Sequence, residues 1–356
     1  MATKNQPVLS IVIPVYNAAN NIKNITLKIL NQSFKNFELI LVNDKSTDNS
    51  GNVIKDLAKK DTRIKLINRK INGGASSARN DGIKKSSGNY LMMFDADDNI
   101  DSDLISIMVK KMENSGADLV VSGAKYNILK ANKLVHSADI FSNKVPPKKP
   151  KEEFQDYIIR LLGFDGRLYQ IWNKIYKTSV IKDNAIKFNC KLNFGEDLLF
   201  NLDYFKYINN INYIYKPLYI YNMNLDGGTY SKSSLVFKNR LINYDHLANF
   251  AGNNLNMETQ SHLSWLRTSW LYSYLLAVSG SNMSLEEKKK CYKKAKESKF
   301  LGQMARLKYI GFKRFVIQII VHTMMAIPIL IEPSIRLSNF IKNTSLTRSI
   351  WQKLKP

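Results

Sequence analysis

Apolar and polar positions in the first third of the chain follow two alternating periods. Short runs rich in Val, Ile and Leu at 9–16, 37–43, 63–68, 90–94 and 118–122 read as strands. Between them, residues 19–32, 48–60, 75–85 and 101–114 repeat their apolar positions at helical spacing. Strands separated by helical patterns of about 10–15 residues predict βαβ units and a mainly parallel sheet. The expected fold class is therefore α/β with a Rossmann-like domain. Ligands of open sheets bind beyond the carboxyl ends of the strands. Those ends are polar here: Tyr16-Asn17, Asn43-Asp44 and Asp95 to Asp97. No G-x-G-x-x-G follows the first strand, which argues against a dinucleotide cofactor.

The pattern changes further along. Residues 142–150 form a break rich in Pro and Lys, 152–162 read as helix and 163–167 as a turn. Strand-like pieces follow at 211–215 and 218–221, and from 235 onward the periodicity is helical. Residues 268–277 are densely apolar and expected in a core.

Composition adds location and partners. The chain has 356 residues, 44% of them hydrophobic, enough for more than one domain. Cys190 and Cys291 lie far apart and outside any C-x-x-C spacing, so neither a disulfide scaffold nor a zinc site is expected. His136, His246, His262 and His322 show no metal-ligand spacing. The N-terminus carries no pattern of a signal peptide, and a reduced, cytoplasmic compartment is expected. Net charge is +24, and residues 281–356 carry 16 Lys/Arg against 4 Glu. Half of the surplus thus lies in about a fifth of the chain, a segment that seeks polyanions. The nearly all-apolar stretch 315–331, preceded by Lys308, Lys313 and Arg314, turns this expectation toward an anionic membrane surface. With Gln318, His322 and Pro328 inside it, the stretch is short for a spanning helix. The competing reading is a buried helix covering the rest of the protein. Nucleic acid is not expected, because the aromatics cluster in core-like segments instead of interleaving with Lys/Arg.

The candidate chemistry begins at Asp95-Ala-Asp97-Asp98, at the end of the strand 90–94. Residues i and i+2 of a strand share a side, so Asp95 and Asp97 can converge. Two carboxylates held together repel unless a cation sits between them, and hard oxygen ligands suit Mg²⁺ or Mn²⁺ bridged to phosphates. A solvated acidic turn would have the same sequence. Ser10-Ile-Val-Ile-Pro-Val-Tyr-Asn17, Val42-Asn-Asp-Lys-Ser-Thr-Asp48, Asn72-Gly-Gly, Ala78-Arg-Asn-Asp-Gly82, the Asp triplet, Trp172-Asn-Lys-Ile-Tyr176 and Phe194-Gly-Glu-Asp-Leu-Leu-Phe200 then follow in order.

That ordered set resembles the family 2 glycosyltransferases, inverting enzymes of GT-A fold and, here, of the bacterial cell-envelope type. The likeness covers roughly residues 8–225. It implies a nucleotide-sugar half at 1–125, an acceptor half with the catalytic base at 126–230, and a helical, basic and apolar region at 231–356. By resemblance, Pro14, Val15, Tyr16, Asn17, Asp44, Asn72, Arg79, Asp95 and Ala96 hold the nucleotide, with Asp44 accepting the base N3–H. Asp97 holds the metal, Asp197 is the base, and Glu196 supports the acceptor. A stretch such as Glu196-Asp197 also suits the first turn of a helix. Trp172 is expected either to stack on a sugar or to sit in the core, and Lys174 to meet a phosphate or hydroxyl. Lys45 stands where the family more often has Gly and is expected to alter the turn. Gln303-Met-Ala-Arg306 is followed by Leu307, not the Trp of processive synthases, so one transfer per encounter is expected.

The expected donor is a UDP-sugar and the expected acceptor a cell-envelope glycan or lipid-linked oligosaccharide. A teichoic-acid-modifying transferase is a variant of that reading. A nucleotidyltransferase would need a phosphate loop near the first strand that Pro14-Val-Tyr-Asn17 does not supply.

Overall fold

A computed structural model describes residues 6–192, 194–224, 237–253, 255–279, 281, 283–297 and 321. The chain divides into two compact units, 1–155 with 164–227, and 156–163 with 228–356.

The first unit is a nine-stranded mixed sheet, counted over the described residues, with order β3-β2-β1-β4-β8-β6-β9-β5 and β7 on β6. Strands β1 (Leu9–Val15), β2 (Phe37–Asn43), β3 (Ile64–Asn68) and β4 (Tyr90–Met93) are mutually parallel. Helices α1 (Ile22–Leu30), α2 (Ser50–Lys60) and α3 (Gly74–Lys85) connect them. β1 and β2 are almost wholly buried and read as continuous apolar runs, as strands covered on both faces must. This is the α/β architecture that the sequence pattern predicts and the GT-A arrangement that the family resemblance implies.

Beyond β4 the sheet becomes mixed. β5 (Asn99–Ile100) and α4 (Leu104–Ser115) precede β6 (Leu119–Lys130), which forms a hairpin with β7 (Lys133–Ile140). β8 (Lys174–Lys177) lies antiparallel between β4 and the start of β6, and β9 (Ile211–Asn224) runs parallel to β6. β6 crosses the boundary expected at residue 125, so both expected halves share one sheet. Between these strands come α5 (Phe154–Phe164), α6 (Thr178–Asp183) and α7 (Glu196–Phe205).

Gly82 explains how α3 reaches the sheet. A Cβ there would meet Val12 Cγ1 at 2.3 Å, so only glycine allows this approach. The close contact brings Arg79, one turn earlier, against the ends of the strands.

The second unit is helical where described: α8 (Phe237–Ala251), α9 (Met257–Ser279) and α10 (Leu285–Glu297), with residues 156–163 of α5. Leu271, Tyr274 and Leu275, from the dense apolar stretch, join Phe237, Val278 and Tyr292 in its core. Ser284 and Glu287 close α10 with a reciprocal capping box. No described helix is long and apolar enough to cross a membrane. The stretch 315–331, except Val321, and Gln303 to Leu307 lie outside the described residues, as does His322.

Candidate active site

The carboxyl edge of β1, β2 and β4 gathers most of the expected residues. At its centre Arg79 is 5% exposed and faces three carboxylates. Its Nη2 donates to Asp95 Oδ1 at 2.7 Å, and its Nη1 lies 3.5 Å from Asp197 Oδ1 and 3.8 Å from Glu196 Oε1. The guanidinium also sits over the Phe188 ring at 5.4 Å. One buried cation therefore serves three acids contributed by the end of β4 and the first turn of α7.

Gly195 starts α7 with φ +84°, a conformation that glycine takes without steric penalty. The turn it makes delivers Glu196 and Asp197 to the helix N-terminus, where the macrodipole favours carboxylates. Burial works in the opposite direction and dominates. It raises the Glu196 pKa and pushes Asp197 up to about 7, against the lowering effect of Arg79. A carboxyl so placed exchanges a proton near neutrality, as a general base must.

The Asp triplet separates into three environments. Asp95 is bound to Arg79. Asp98 is 3% exposed, and its carboxylate accepts from Tyr219 Oη and from the Asn222 N–H, each at 2.8 Å. Asp97 is solvent-exposed and forms no ion pair among the described residues. Enough protein still surrounds it that desolvation, then the Asp95 charge, raises its pKa. No cluster of three or more His, Cys, Asp or Glu ligands occurs among the described residues. Mg²⁺ and Mn²⁺ need no such cage, since one or two carboxylates and substrate phosphates suffice. An open Asp97 beside a second carboxylate fits that requirement.

The residues of β1 and β2 expected to hold the nucleotide are arranged less simply than the resemblance implies. Tyr16 is 51% exposed and Pro14 half-buried, whereas the Val15 side chain is fully buried in the core and offers a ligand only its backbone. Asn17, at φ +49°, uses its side-chain oxygen to accept from the Thr47 N–H at 2.8 Å, tying β1 to the β2–α2 turn. Asp44 is 1% exposed, and its carboxylate accepts from Arg69, from the Gly73 N–H at 3.0 Å and from the Gly74 N–H at 2.7 Å. Asn72 donates to the Asp44 carbonyl at 3.0 Å, and Ala96 is half-buried beside Asp95. Arg69, immediately after β3 and also paired with Asp81 at 2.8 Å, has no counterpart among the expected site residues. Its position at a strand's carboxyl end was the signal that could have marked it. Lys45 takes φ +57°, so a left-handed turn persists with a side chain in it, at a strain of roughly 1–2 kcal/mol.

On the acceptor side, the structure decides between the two readings of Trp172 in favour of the core and departs from the expectation for Lys174. Trp172 is 4% exposed and stacks on Tyr219 at 4.6 Å and Tyr221 at 5.5 Å within the core, so its faces are closed to a sugar. Lys174 is fully buried. Its ammonium donates to the Arg167 carbonyl at 2.8 Å, to the Gln170 carbonyl and to Asn173 Oδ1 at 2.9 Å. Burial holds its pKa well below the ordinary lysine range. Lys174 pins the turn before β8 and meets no acceptor. Trp172→Ala is expected to destabilise the protein by about 3–5 kcal/mol in urea unfolding, through the cavity it leaves. Acceptor KM should stay unchanged.

The comparisons agree with this geometry. The family model for glycosyl transferase family 2 matches residues 10–183. The uncharacterized glycosyltransferase EpsJ of Bacillus subtilis (strain 168) is 31% identical over 219 residues, which cover 61% of this chain and 62% of EpsJ. The chain thus spans less than two thirds of that relative's length. S. aureus TarS 1–349, solved with UDP-GlcNAc, superposes with a TM-score of 0.63 at 20% identity, over 93% of this chain and 92% of that one. The mannosyltransferase PcManGT of Pyrobaculum calidifontis, solved with GDP-Man and Mn²⁺, gives 0.53 at 13% identity, over 91% and 88%. At these identities the two structures carry the fold. Motifs in family order, a GT-A sheet with the acids at its carboxyl edge, and the domain match lead to one assignment: residues 10–183 form a glycosyltransferase family 2 domain.

Proposed function

We propose that the chain moves one sugar from a nucleotide-sugar, a UDP-sugar, to a hydroxyl of a cell-envelope glycan or lipid-linked oligosaccharide, with inversion at C1. The observation that carries this reading is the buried Arg79 surrounded by Asp95, Glu196 and Asp197, with Asp197 titrating at about 7. Asp197 accepts the proton of the acceptor hydroxyl as its oxygen attacks C1. The C1–O bond to the diphosphate breaks on the opposite face, and the electron pair leaves with the nucleoside diphosphate. Glu196 orients the acceptor. Asp97 holds a divalent cation, Mn²⁺ or Mg²⁺, which when bound stabilises the charge developing on the leaving diphosphate. The exposed Tyr16 ring faces the base, and Asp44 accepts the base N3–H in place of its Arg69 contact.

UDP-GlcNAc in TarS supports the UDP donor, and Mn²⁺ in PcManGT supports the cation. Those ligands are the ligands of those proteins, and the GDP-Man of the second shows that the fold alone does not select a nucleotide. The basic surplus of 281–356 would hold the enzyme at the anionic inner face of the cell membrane.

The test is nucleotide release from UDP-, GDP- and dTDP-sugars with Mn²⁺, Mg²⁺ or chelator, for wild type and Asp97→Ala. One UDP-sugar should be hydrolysed slowly, only with metal and only by the wild type. If no sugar nucleotide is hydrolysed and none binds in a metal-dependent way, the proposal is wrong.

A further inference from the structure

The Asp95–Asp98 turn lies inside the matched family domain, yet what holds its shape lies beyond residue 183, on β9. The Asp95 N–H donates to Tyr219 Oη at 3.3 Å. The same hydroxyl donates to Asp98 at 2.8 Å, so one oxygen bridges both ends of the turn. The Asn222 N–H donates to the other Asp98 oxygen, and Asn222 Nδ2 donates to the Asp97 carbonyl at 3.0 Å. Of the three acids of the turn, Asp97 is the exposed one, Asp95 being partly and Asp98 fully buried. The Tyr219 ring cannot drift, because Trp172 stacks on it and Phe94 meets it at 5.4 Å.

The Asn222 amide has a fixed orientation. A backbone carbonyl only accepts, so Nδ2 must face Asp97 and Oδ1 must face the neighbouring strand. There it accepts from Asn127 Nδ2 at 3.2 Å, and Asn127 Oδ1 accepts from Ser137 Oγ at 2.7 Å. Asn222, Asn127 and Ser137 are direct cross-strand partners on β9, β6 and β7. A polar rung thus runs from the exposed hairpin across three strands to the peptide of Asp97.

We infer that Tyr219 and Asn222, backed by Asn127, are positioning residues that aim the Asp97 carboxylate at the divalent cation. This rests on the proposed reading, in which Asp97 binds that cation. Adjacent acids repel, so a turn holding Asp95, Asp97 and Asp98 relaxes away from any shape that is not enforced. Asp98 is the enforced member: it gives up solvent to become the anchor, which frees Asp97 to ligate. Groups that orient a ligand from behind typically change metal affinity by about 10- to 100-fold when removed.

The test measures Mn²⁺ affinity by electron paramagnetic resonance, at saturating UDP, on the full chain. Tyr219→Phe keeps the stacked ring and removes the bridging hydroxyl; Asn222→Ala removes the donor to Asp97. Each should weaken Mn²⁺ binding about 10-fold or more. Asn127→Ala, one strand further out, should weaken it by less and serves if Asn222→Ala does not fold. Melting temperatures are recorded for all, since a purely structural role would lower them and leave Mn²⁺ affinity intact. That result, with wild-type binding abolished by Asp97→Ala, overturns the inference alone. Wild-type binding indistinguishable from Asp97→Ala overturns the metal reading and this inference with it.

Discussion

Asp197→Asn is expected to lower kcat by about 10²- to 10⁴-fold, the range a positioned general base contributes, with donor affinity nearly unchanged. The substitution keeps the shape of the side chain and removes its ability to take the acceptor proton. Because burial pushes the Asp197 pKa up to about 7, the wild-type kcat/KM should rise tenfold per pH unit below 7 and level off above it. The residual activity of the variant should lack that limb. The same substitution has a second consequence, opposite in sign. In the unfolded chain the carboxyl titrates near 3.8, so between pH 4 and 7 the folded protein binds a proton that the unfolded one does not. Stability from this group is full below pH 4 and is lost as pH rises through 7. At pH 8 the ionised, desolvated carboxylate therefore destabilises the fold. Asp197→Asn should be more stable than wild type there by about 1–3 kcal/mol, with the gain vanishing near pH 4. A variant both inactive and more stable at pH 8 would mark a site where fold stability is given up for chemistry. If kcat survives, another group is the base.

The reading from sequence succeeded where chemistry and chain position coincide. The four parallel strands were legible because each is a short apolar run ending in polar residues. Asp95 and Asp97 lie at a strand end that local pattern locates, whereas Arg79, Glu196 and Asp197 stood out only through the family resemblance; the structure brings Arg79, Asp95, Glu196 and Asp197 together. Residues whose partners come from distant strands were not. Trp172 and Lys174 have the composition of a sugar platform and a phosphate ligand. Their fate depends on Tyr219 and Tyr221, over 40 residues later, and on carbonyls of a turn whose closure no local period records. Asp44 was placed correctly at a strand end, but its partner Arg69 sits on the next strand's exit. Strand β7 was missed because its residues are mostly exposed, so no buried face imposes alternation. The clamp of Tyr219 and Asn222 on the Asp turn is a tertiary fact of the same kind.

Replacing Arg79 tests the whole cluster at once. Arg79→Met keeps most of the volume over Phe188 and removes the only cation that Asp95, Glu196 and Asp197 share within 4 Å among the described residues. Breaking a buried pair by removing one partner costs about 3–5 kcal/mol, because the other charge is left uncompensated. Here three charges lose their partner. Arg79 lowers the pKa of both Glu196 and Asp197, so without it both rise further. The variant's deficit should be larger at pH 8 than at pH 5, because Glu196 and Asp197 take up protons that replace the missing cation as the pH falls. Urea unfolding at pH 8 and pH 5 measures this directly, and a deficit equal at both would mean that Arg79 acts by packing alone. Any activity left in the variant should show its pH limb displaced upward, since the base then holds its proton more tightly. Arg79→Lys should fall between the two in stability: an ammonium restores charge but lacks the planar fork that reaches acids on two different elements.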